Sequence, residues 1–207
     1  MRTKGGRLPT EIVWIPPTAA LLIGYLLGSI PFGVLLTRAF GAGDLRQIGS
    51  GNIGATNVLR TGRKGLAAST LVLDLLKGAA AVWIVGALFP DNEVVAAAGA
   101  FLGHCYPVWL RFRGGKGVAT LMGIVTALHW PCGLVYAAVW LGLLGGLRIS
   151  SLAGMAAAVS APVSAAIFGR FDLVPLLIAL ALIVIWLHRA NIERLLSGTE
   201  PRVGKGK

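Results

Sequence analysis

Residues 49–54 read GSGNIG, that is Gly49-Ser50-Gly51-Asn52-Ile53-Gly54, with ATN following. The spacing is G-x-G-x-x-G, with which dinucleotide-binding domains cradle a pyrophosphate. Asp74 falls twenty residues after Gly54, about where such a domain places its ribose-binding acid. The fold turns on what precedes this loop. A strand is required, and the chain instead supplies TAALLIGYLLGSIPFGVLL, an apolar run of helix length. A second apolar run follows. A βαβ unit has no place between two such helices. Asp74 lies about nine residues into the second run, in LVLDLLKG, out of reach of a ribose at the loop. Its spacing is a coincidence.

Composition supports the helical reading. The 207 residues are 56% hydrophobic and only 13% charged, with mean hydropathy +0.77. A soluble domain carries roughly 25% charged residues. The chain therefore reads as an integral membrane protein. Nineteen Lys and Arg against eight Asp and Glu give a net charge of +11. In a soluble protein that excess would suggest nucleic acid. Here it forms no long basic run, and no nucleic-acid partner is expected. It fits cytoplasmic loops, anionic lipid headgroups and anionic substrates. Cys105 and Cys132 stand singly in apolar segments and read as buried free thiols. The start, MRTKGGRLPTEIVWIPP, resembles a signal peptide. The apolar run continues through SIPFGVLL without a cleavage site, so it reads as an uncleaved first span.

A helix needs about 20 apolar residues to cross a bilayer. Candidate spans lie at about 16–39, 65–89, 94–111, 117–129, 131–147, 150–169 and 172–188. HWPCG at 129–133 divides the long run 117–147, because Pro131 cannot continue a helix. The expected fold is all-α: a polytopic integral membrane protein of seven transmembrane helices. Six spans with one re-entrant pair is the alternative. A single domain over 16–200 is expected, between an N-terminal tail (1–15) and a basic C-terminal tail (201–207).

Sorting the loops orients the bundle. One side receives Arg46, Arg60, Arg63 and Lys64; Arg111, Arg113 and Lys116; Arg148; and Arg189, Arg194, Arg202, Lys205 and Lys207. The other receives Asp91, Glu93 and Arg170. The positive-inside rule places the first set in the cytoplasm, with the C-terminus there and the N-terminus outside. Arg2, Lys4 and Arg7 of the N-terminal tail run against this assignment and are outvoted by the internal loops.

The same sorting gathers the chemistry. DLRQIGSGNIGATNVLRTGRKG, RFRGGKG, RISS and HRANIERLL all reach the cytoplasmic face. In the first, glycines allow backbone N–H groups to approach an anion, and Ser50 and Asn52 add donors. Asn52 is also a good N-cap. A short helix from Ile53 would set Thr56, Asn57 and Arg60 on one polar face. In the second, Lys116 offers a compact charge among glycines, although GGKG alone also fits a basic turn. In the last, His188 and Asn191 are i and i+3. Glu193, five residues after His188, mimics the spacing of soluble-type acyltransferases, but it is Glu and points away, so that match is rejected. GLLGG at 142–146 reads as a close-packing helix surface. Asp74 and Lys77, i and i+3 inside a span, read as a structural ion pair, and His104 as a buried polar group in need of a partner. Acids are too sparse for metal catalysis; neither a metal nor another cofactor is expected.

Six ordered motifs, GSIPFG, GSGNIGATNVLR, LDLLKG, GHCYPV, FRGGKGVAT and HRANIERLLSGTE, resemble the bacterial acyl-phosphate:glycerol-3-phosphate acyltransferase family (PlsY type) over residues 22 to 200. The resemblance implies a seven-helix bundle with a cytoplasm-facing active site. It implies transfer of an acyl group from acyl phosphate to the 1-hydroxyl of glycerol 3-phosphate, as the first acylation of phospholipid synthesis in the bacterial inner membrane. An upstream acyl-phosphate-forming enzyme is an implied partner. By resemblance, Ser50, Gly51 and Asn52 hold the donor phosphate, with Ser151 closing in. Arg60, Lys116, His188 and Asn191 hold glycerol 3-phosphate, and Thr56 and Asn57 serve either pocket. Ser50, Lys116, His188 and Asn191 are the catalytic candidates. An anion transporter or channel with a cytoplasmic phosphate site is the alternative function.

Overall fold

The structure is a computed structural model that describes residues 14–204. Its helices are α1 (Ile15–Gly28), α2 (Phe32–Ala39), α3 (Ala55–Leu59), α4 (Lys64–Leu88), α5 (Glu93–Cys105), α6 (Val118–Leu128), α7 (Trp130–Leu147), α8 (Ser150–Ile167), α9 (Val174–Leu187) and α10 (Arg189–Leu196). Two 3-10 turns, Leu45–Gln47 and Val108–Leu110, complete the regular structure, and the described residues contain no strand. Arg2, Lys4, Arg7, Lys205 and Lys207 lie outside the described residues, as does most of the expected N-terminal tail.

Each expected apolar segment holds a helix. Four spans are long and apolar enough to cross a membrane: Ile15–Ala39, Lys64–Leu88, Trp130–Leu147 and Ser150–Ile167. The α9–α10 pair, bent by 59° at His188, makes a fifth if taken as one span. α5 and α6 are shorter, at 13 and 11 residues. At 1.5 Å per residue they cover about 20 Å or less, against a hydrocarbon core of about 30 Å. The chain is an all-α integral membrane protein.

The segment boundaries follow from local chemistry. Pro131 sits in the first turn of α7, where its missing N–H costs nothing, and His129 before it is extended. HWPCG thus separates α6 from α7 as expected. The first span is broken, which was not expected. Pro31 disfavours helix at Ile30, and α1 ends at Gly28. Two carbonyls freed at this break receive distant donors. Trp109 Nε1 donates to Ser29 O at 2.8 Å, and Lys77 Nζ donates to Ile30 O at 2.8 Å. Without such partners an opened helix inside a membrane would be costly.

Small residues set the helix contacts. α1 and α5 meet backbone to backbone: a Cβ on Gly24 or Gly28 would collide with Ala96 or Ala100, and one on Gly99 or Gly103 with the α1 backbone. This is the close approach by which helices gain packing where lipid supplies no hydrophobic drive. α6 packs on α4 in the same way, and α7 and α9 flank α8. GLLGG does not behave as expected. Among the described residues nothing lies within 4 Å of a Cβ built on Gly142, Gly145 or Gly146, so these glycines pack on no neighbour there. Cys105 and Cys132 are buried free thiols.

Candidate active site

The 40–63 loop is organised around one buried side chain. Asn57 Nδ2 donates to Leu45 O and Ile48 O, each at 2.9 Å. Its Oδ1 accepts from Ser50 N at 3.2 Å and from Arg60 Nη1 at 3.2 Å. Both ends of the amide are therefore engaged inside the loop. Asn57 does not share an exposed polar face with Thr56 and Arg60; it is buried and they are exposed. α3 begins at Ala55, with Gly54 as N-cap, rather than at Ile53. Asn52 is not the cap: its Oδ1 accepts from Gly54 N at 2.9 Å, closing an Asx-turn just before the helix. Gly49 and Gly51 adopt φ of +54° and +69°, a left-handed backbone that side chains resist. The result is a fixed turn that presents Ser50 and Gly51 outward, with Arg60 alongside. Thr56 is exposed and makes no hydrogen bond among the described residues. Arg46 is occupied by Asp44 at 2.7 Å.

The second glycine turn rests on aromatic rings. Gly114 N and Gly115 N donate to Cys105 O and His104 O, both at 3.0 Å, folding the turn back onto the end of α5. A Cβ on Gly115 would strike the His104 imidazole, and one on Gly117 the Phe101 ring. His104 and Phe101 thus form the floor, and Lys116 projects the other way. Its Nζ donates to Asn191 Oδ1 on α10.

From Asn191 the contacts continue. Asn191 Nδ2 donates to Glu200 Oε1 at 2.6 Å, and Ser151 Oγ donates to the same oxygen at 2.6 Å. Arg194 Nε donates to Glu200 Oε2 at 2.7 Å. Three segments distant in sequence therefore meet in one polar cluster: the Lys116 turn, the start of α8, and α10 with the stretch that follows it. Ser151 joins this cluster through Glu200. Glu200 was missed. It looked like a lone acid, but the GTE that follows the turn after α10 returns the chain to the cluster.

Electrostatics link the two halves. Burial, and then the neighbouring charge of Arg194, bring the Lys116 pKa down to about 8, and Arg60 and Arg189 push the same way. Arg60 of the first loop therefore lies within electrostatic reach of Lys116. Burial pushes the Glu200 carboxyl up, but hydrogen bonds from Ser151, Asn191 and Arg194 outweigh it and hold the pKa below its ordinary value. His188, buried at the α9–α10 bend, has its Nδ1 at 2.8 Å from Val184 O. A carbonyl only accepts, so Nδ1 carries the hydrogen, and in the neutral ring Nε2 keeps its lone pair.

An apolar groove adjoins the cluster. It measures about 550 Å³ and is lined by Leu152, Met155, Ala156, Val159, Ile185 and Ile192, with Leu195 and Leu196. Leu152 and Ile192 directly follow Ser151 and Asn191. A cavity of about 640 Å³ lies among the opposite loops, lined in part by Asp91, Glu93 and Arg170 and by no residue of the Lys116–Glu200 cluster.

The chain is similar to known proteins over nearly its whole length. The family model for glycerol-3-phosphate acyltransferase matches residues 18–198. A glycerol-3-phosphate acyltransferase from Erythrobacter litoralis is 62% identical, covering 92% of this chain and 96% of its own. One from Mesorhizobium japonicum is 57% identical, covering 89% and 95%. The crystal structure of PlsY (YgiH), an integral membrane glycerol 3-phosphate acyltransferase, in its glycerol 3-phosphate form superposes with TM-score 0.86 at 38% identity, covering 91% of this chain and 96% of that one. Its lysophosphatidic acid form gives 0.83 at 36% identity, covering 91% and 95%. The chain belongs to the glycerol-3-phosphate acyltransferase family.

Proposed function

We propose that this protein transfers an acyl group from acyl phosphate to the 1-hydroxyl of glycerol 3-phosphate, releasing 1-acylglycerol 3-phosphate and phosphate. The observation that carries the reading is the meeting of Lys116, Asn191, Ser151 and Glu200 beside the Ser50–Arg60 loop, with an apolar groove adjoining. Both substrates carry phosphate, and the site offers two glycine turns with cations. The Ser50, Gly51 and Asn52 turn holds the donor phosphate. Arg60, Lys116, Asn191 and His188 hold glycerol 3-phosphate, with Ser151 at the edge of that pocket and Thr56 at the rim. Asn57 serves by shaping the loop. The acyl chain lies in the groove between α8, α9 and α10.

Acyl phosphate is a mixed anhydride with a good leaving group, so positioning and charge stabilisation supply most of the catalysis. Ser151 Oγ donates to Glu200, but Asn191 and Arg194 hold the same carboxylate and leave it a weak base, and the His129–Cys132 pair lies at the other end of the bundle, which favours direct attack over an acyl-enzyme. The substrate hydroxyl oxygen bonds to the acyl carbon, and the carbon–oxygen bond to phosphate breaks. The hydroxyl proton passes to the departing phosphate. His188 itself is the rival base, and His188→Gln separates the two. If acceptor binding and donor hydrolysis persist while transfer is lost, His188 is the base; if transfer also persists, the phosphate is.

The reading places one transmembrane domain, 16–200, in the bacterial inner membrane. Its site and C-terminus face the cytoplasm, its N-terminus lies outside, and an acyl-phosphate-forming enzyme supplies the donor. The positive-inside count supports this orientation. The test is phosphate release by purified protein given palmitoyl phosphate and glycerol 3-phosphate, without metal or coenzyme A. Release that depends on glycerol 3-phosphate is expected; its absence overturns the reading. An anion pathway has less support, since Asp74, Lys77 and His104 are gathered in a buried cluster rather than strung across the membrane.

A further inference from the structure

Asp74 and Lys77 form a buried ion pair at 2.8 Å, with their side chains 4% and 3% exposed. Charges inside a membrane are costly. A pair serving only to join two turns of one helix would be dispensable. This pair reaches further, in two directions.

Lys77 spans the break between α1 and α2. On one side it donates to Ile30 O at 2.8 Å; on the other it lies 5.8 Å from the centre of the Phe32 ring, within cation–π range. Phe32 begins α2. At Gly33, the next residue, α2 packs directly on the Ile53 carbonyl, leaving no room for a Cβ. Lys77 therefore fixes the element against which the GSGNIG turn rests. Asp74 Oδ1 is 3.8 Å from His104 Nδ1, an atom with no hydrogen-bond partner among the described residues. The far edge of that imidazole, at Nε2, is the floor beneath Gly115. Asp74 therefore faces the support of the turn that carries Lys116.

We infer that the Asp74–Lys77 pair sets the spacing between the two phosphate-holding turns, with Lys77 acting through Phe32 on the Ser50–Asn52 turn and Asp74 acting through His104 on the Lys116 turn. These are positioning residues, since none touches substrate. The inference rests on the acyltransferase reading above and on its assignment of donor phosphate to the first turn and glycerol 3-phosphate to the second.

Four variants read it, each assayed for transfer between palmitoyl phosphate and glycerol 3-phosphate, with thermal unfolding measured alongside. Asp74→Asn with Lys77→Met removes both charges together, and such paired removal is often tolerated in stability terms. Near-native unfolding is expected, with kcat/KM lowered by between about ten- and a hundred-fold, the scale of a site misplaced by a remote change. His104→Gln keeps the pair and is expected to raise KM for glycerol 3-phosphate alone. Phe32→Leu is expected to raise KM for palmitoyl phosphate alone. Lys77→Arg, which keeps the charge, should restore much of the lost rate. Equal effects of His104→Gln and Phe32→Leu on both KM values, or no effect on either, overturn the inference even if the double variant does not fold. A folded double variant with unaltered kinetics also overturns it. An unmodified enzyme that releases no phosphate overturns the functional reading, and this inference with it.

Discussion

The side chains of Lys116 and Asn191 touch across 75 residues of sequence. One comes from a glycine turn between short helices, the other from an amphipathic helix set at an angle to its span. Their contact leaves Lys116 partly desolvated among other cations. That environment, more than its place in a motif, prepares it to receive an anion.

Lys116 gives the first prediction. With its pKa near 8, it loses its proton as pH rises through that value, where an exposed lysine would stay charged for two further units. KM for glycerol 3-phosphate should therefore be flat below pH 8 and rise by up to about ten-fold per unit above it. Lys116→Arg should abolish the rise while weakening binding overall, because the planar guanidinium keeps its proton but not the geometry. Initial rates from pH 6.5 to about 9.5 decide the matter; a rise that persists in the arginine variant assigns it elsewhere.

Lys116 and Asn191 should act as a unit. In a cycle of Lys116→Met, Asn191→Ala and the double variant, the losses in kcat/KM should fail to add, with a coupling of about 0.5–3 kcal/mol. Additive losses would show that the contact seen here is not used in turnover.

Glu200 should matter to both stability and rate. Glu200→Gln weakens charge-assisted hydrogen bonds to Ser151, Asn191 and Arg194, which corresponds to about 2 kcal/mol. The carboxyl's folded pKa lies below its ordinary value of 4.5. Its contribution is therefore complete above that value and fades as pH falls through the folded pKa. The unmodified enzyme should lose thermal stability on acidification in that range, and the Gln variant should show a shallower loss. Unfolding scans between pH 3 and about 7 provide the comparison.

The groove adjoining Ser151 should read acyl chains. Ala156 lines it more than one helical turn along α8 from Ser151. Ala156→Trp should depress transfer from palmitoyl phosphate while sparing a short-chain donor such as butyryl phosphate. Equal loss with both donors would place the acyl chain elsewhere.

Two glycines should behave oppositely. Gly28→Ala forces a methyl group into the Ala100 backbone and should destabilise by about 1–3 kcal/mol. Gly142→Ala meets nothing within 4 Å and should be neutral or slightly stabilising, since alanine is the better helix former. Thermal unfolding of the two variants side by side tests the contrast.

The residues whose roles were legible in sequence are those whose signals are local. Apolar length gave the helical segments, Pro131 the α6–α7 break, and i,i+3 spacing the Asp74–Lys77 pair. Asn57 was misplaced because helical periodicity says which residues share a face, not which face turns inward. Here the loop's own carbonyls at Leu45 and Ile48 drew its amide inside. Ser151 and Glu200 were harder still. Their partnership depends on the chain reversing after α10, where Glu200 N bonds back to Arg194 O, and no spacing rule encodes that return. GLLGG looked like a packing surface because composition cannot say whether a small-residue face meets a neighbour.

The backbone contact between α1 and α5 bears on the order in which the chain assembles in the bilayer. Neighbours such as α7 and α8 can pair as soon as both have entered. α1 enters early, yet the surface that accepts Gly24 and Gly28 belongs to α5, which follows only after α4. Until then its small-residue stripe faces lipid, and closing so long an intervening loop carries an entropic cost that adjacent helices escape. α1 thus waits for its closest backbone contact until α5 has entered, and the break it carries at Ser29–Pro31 receives the Lys77 and Trp109 donors only after those later segments have arrived.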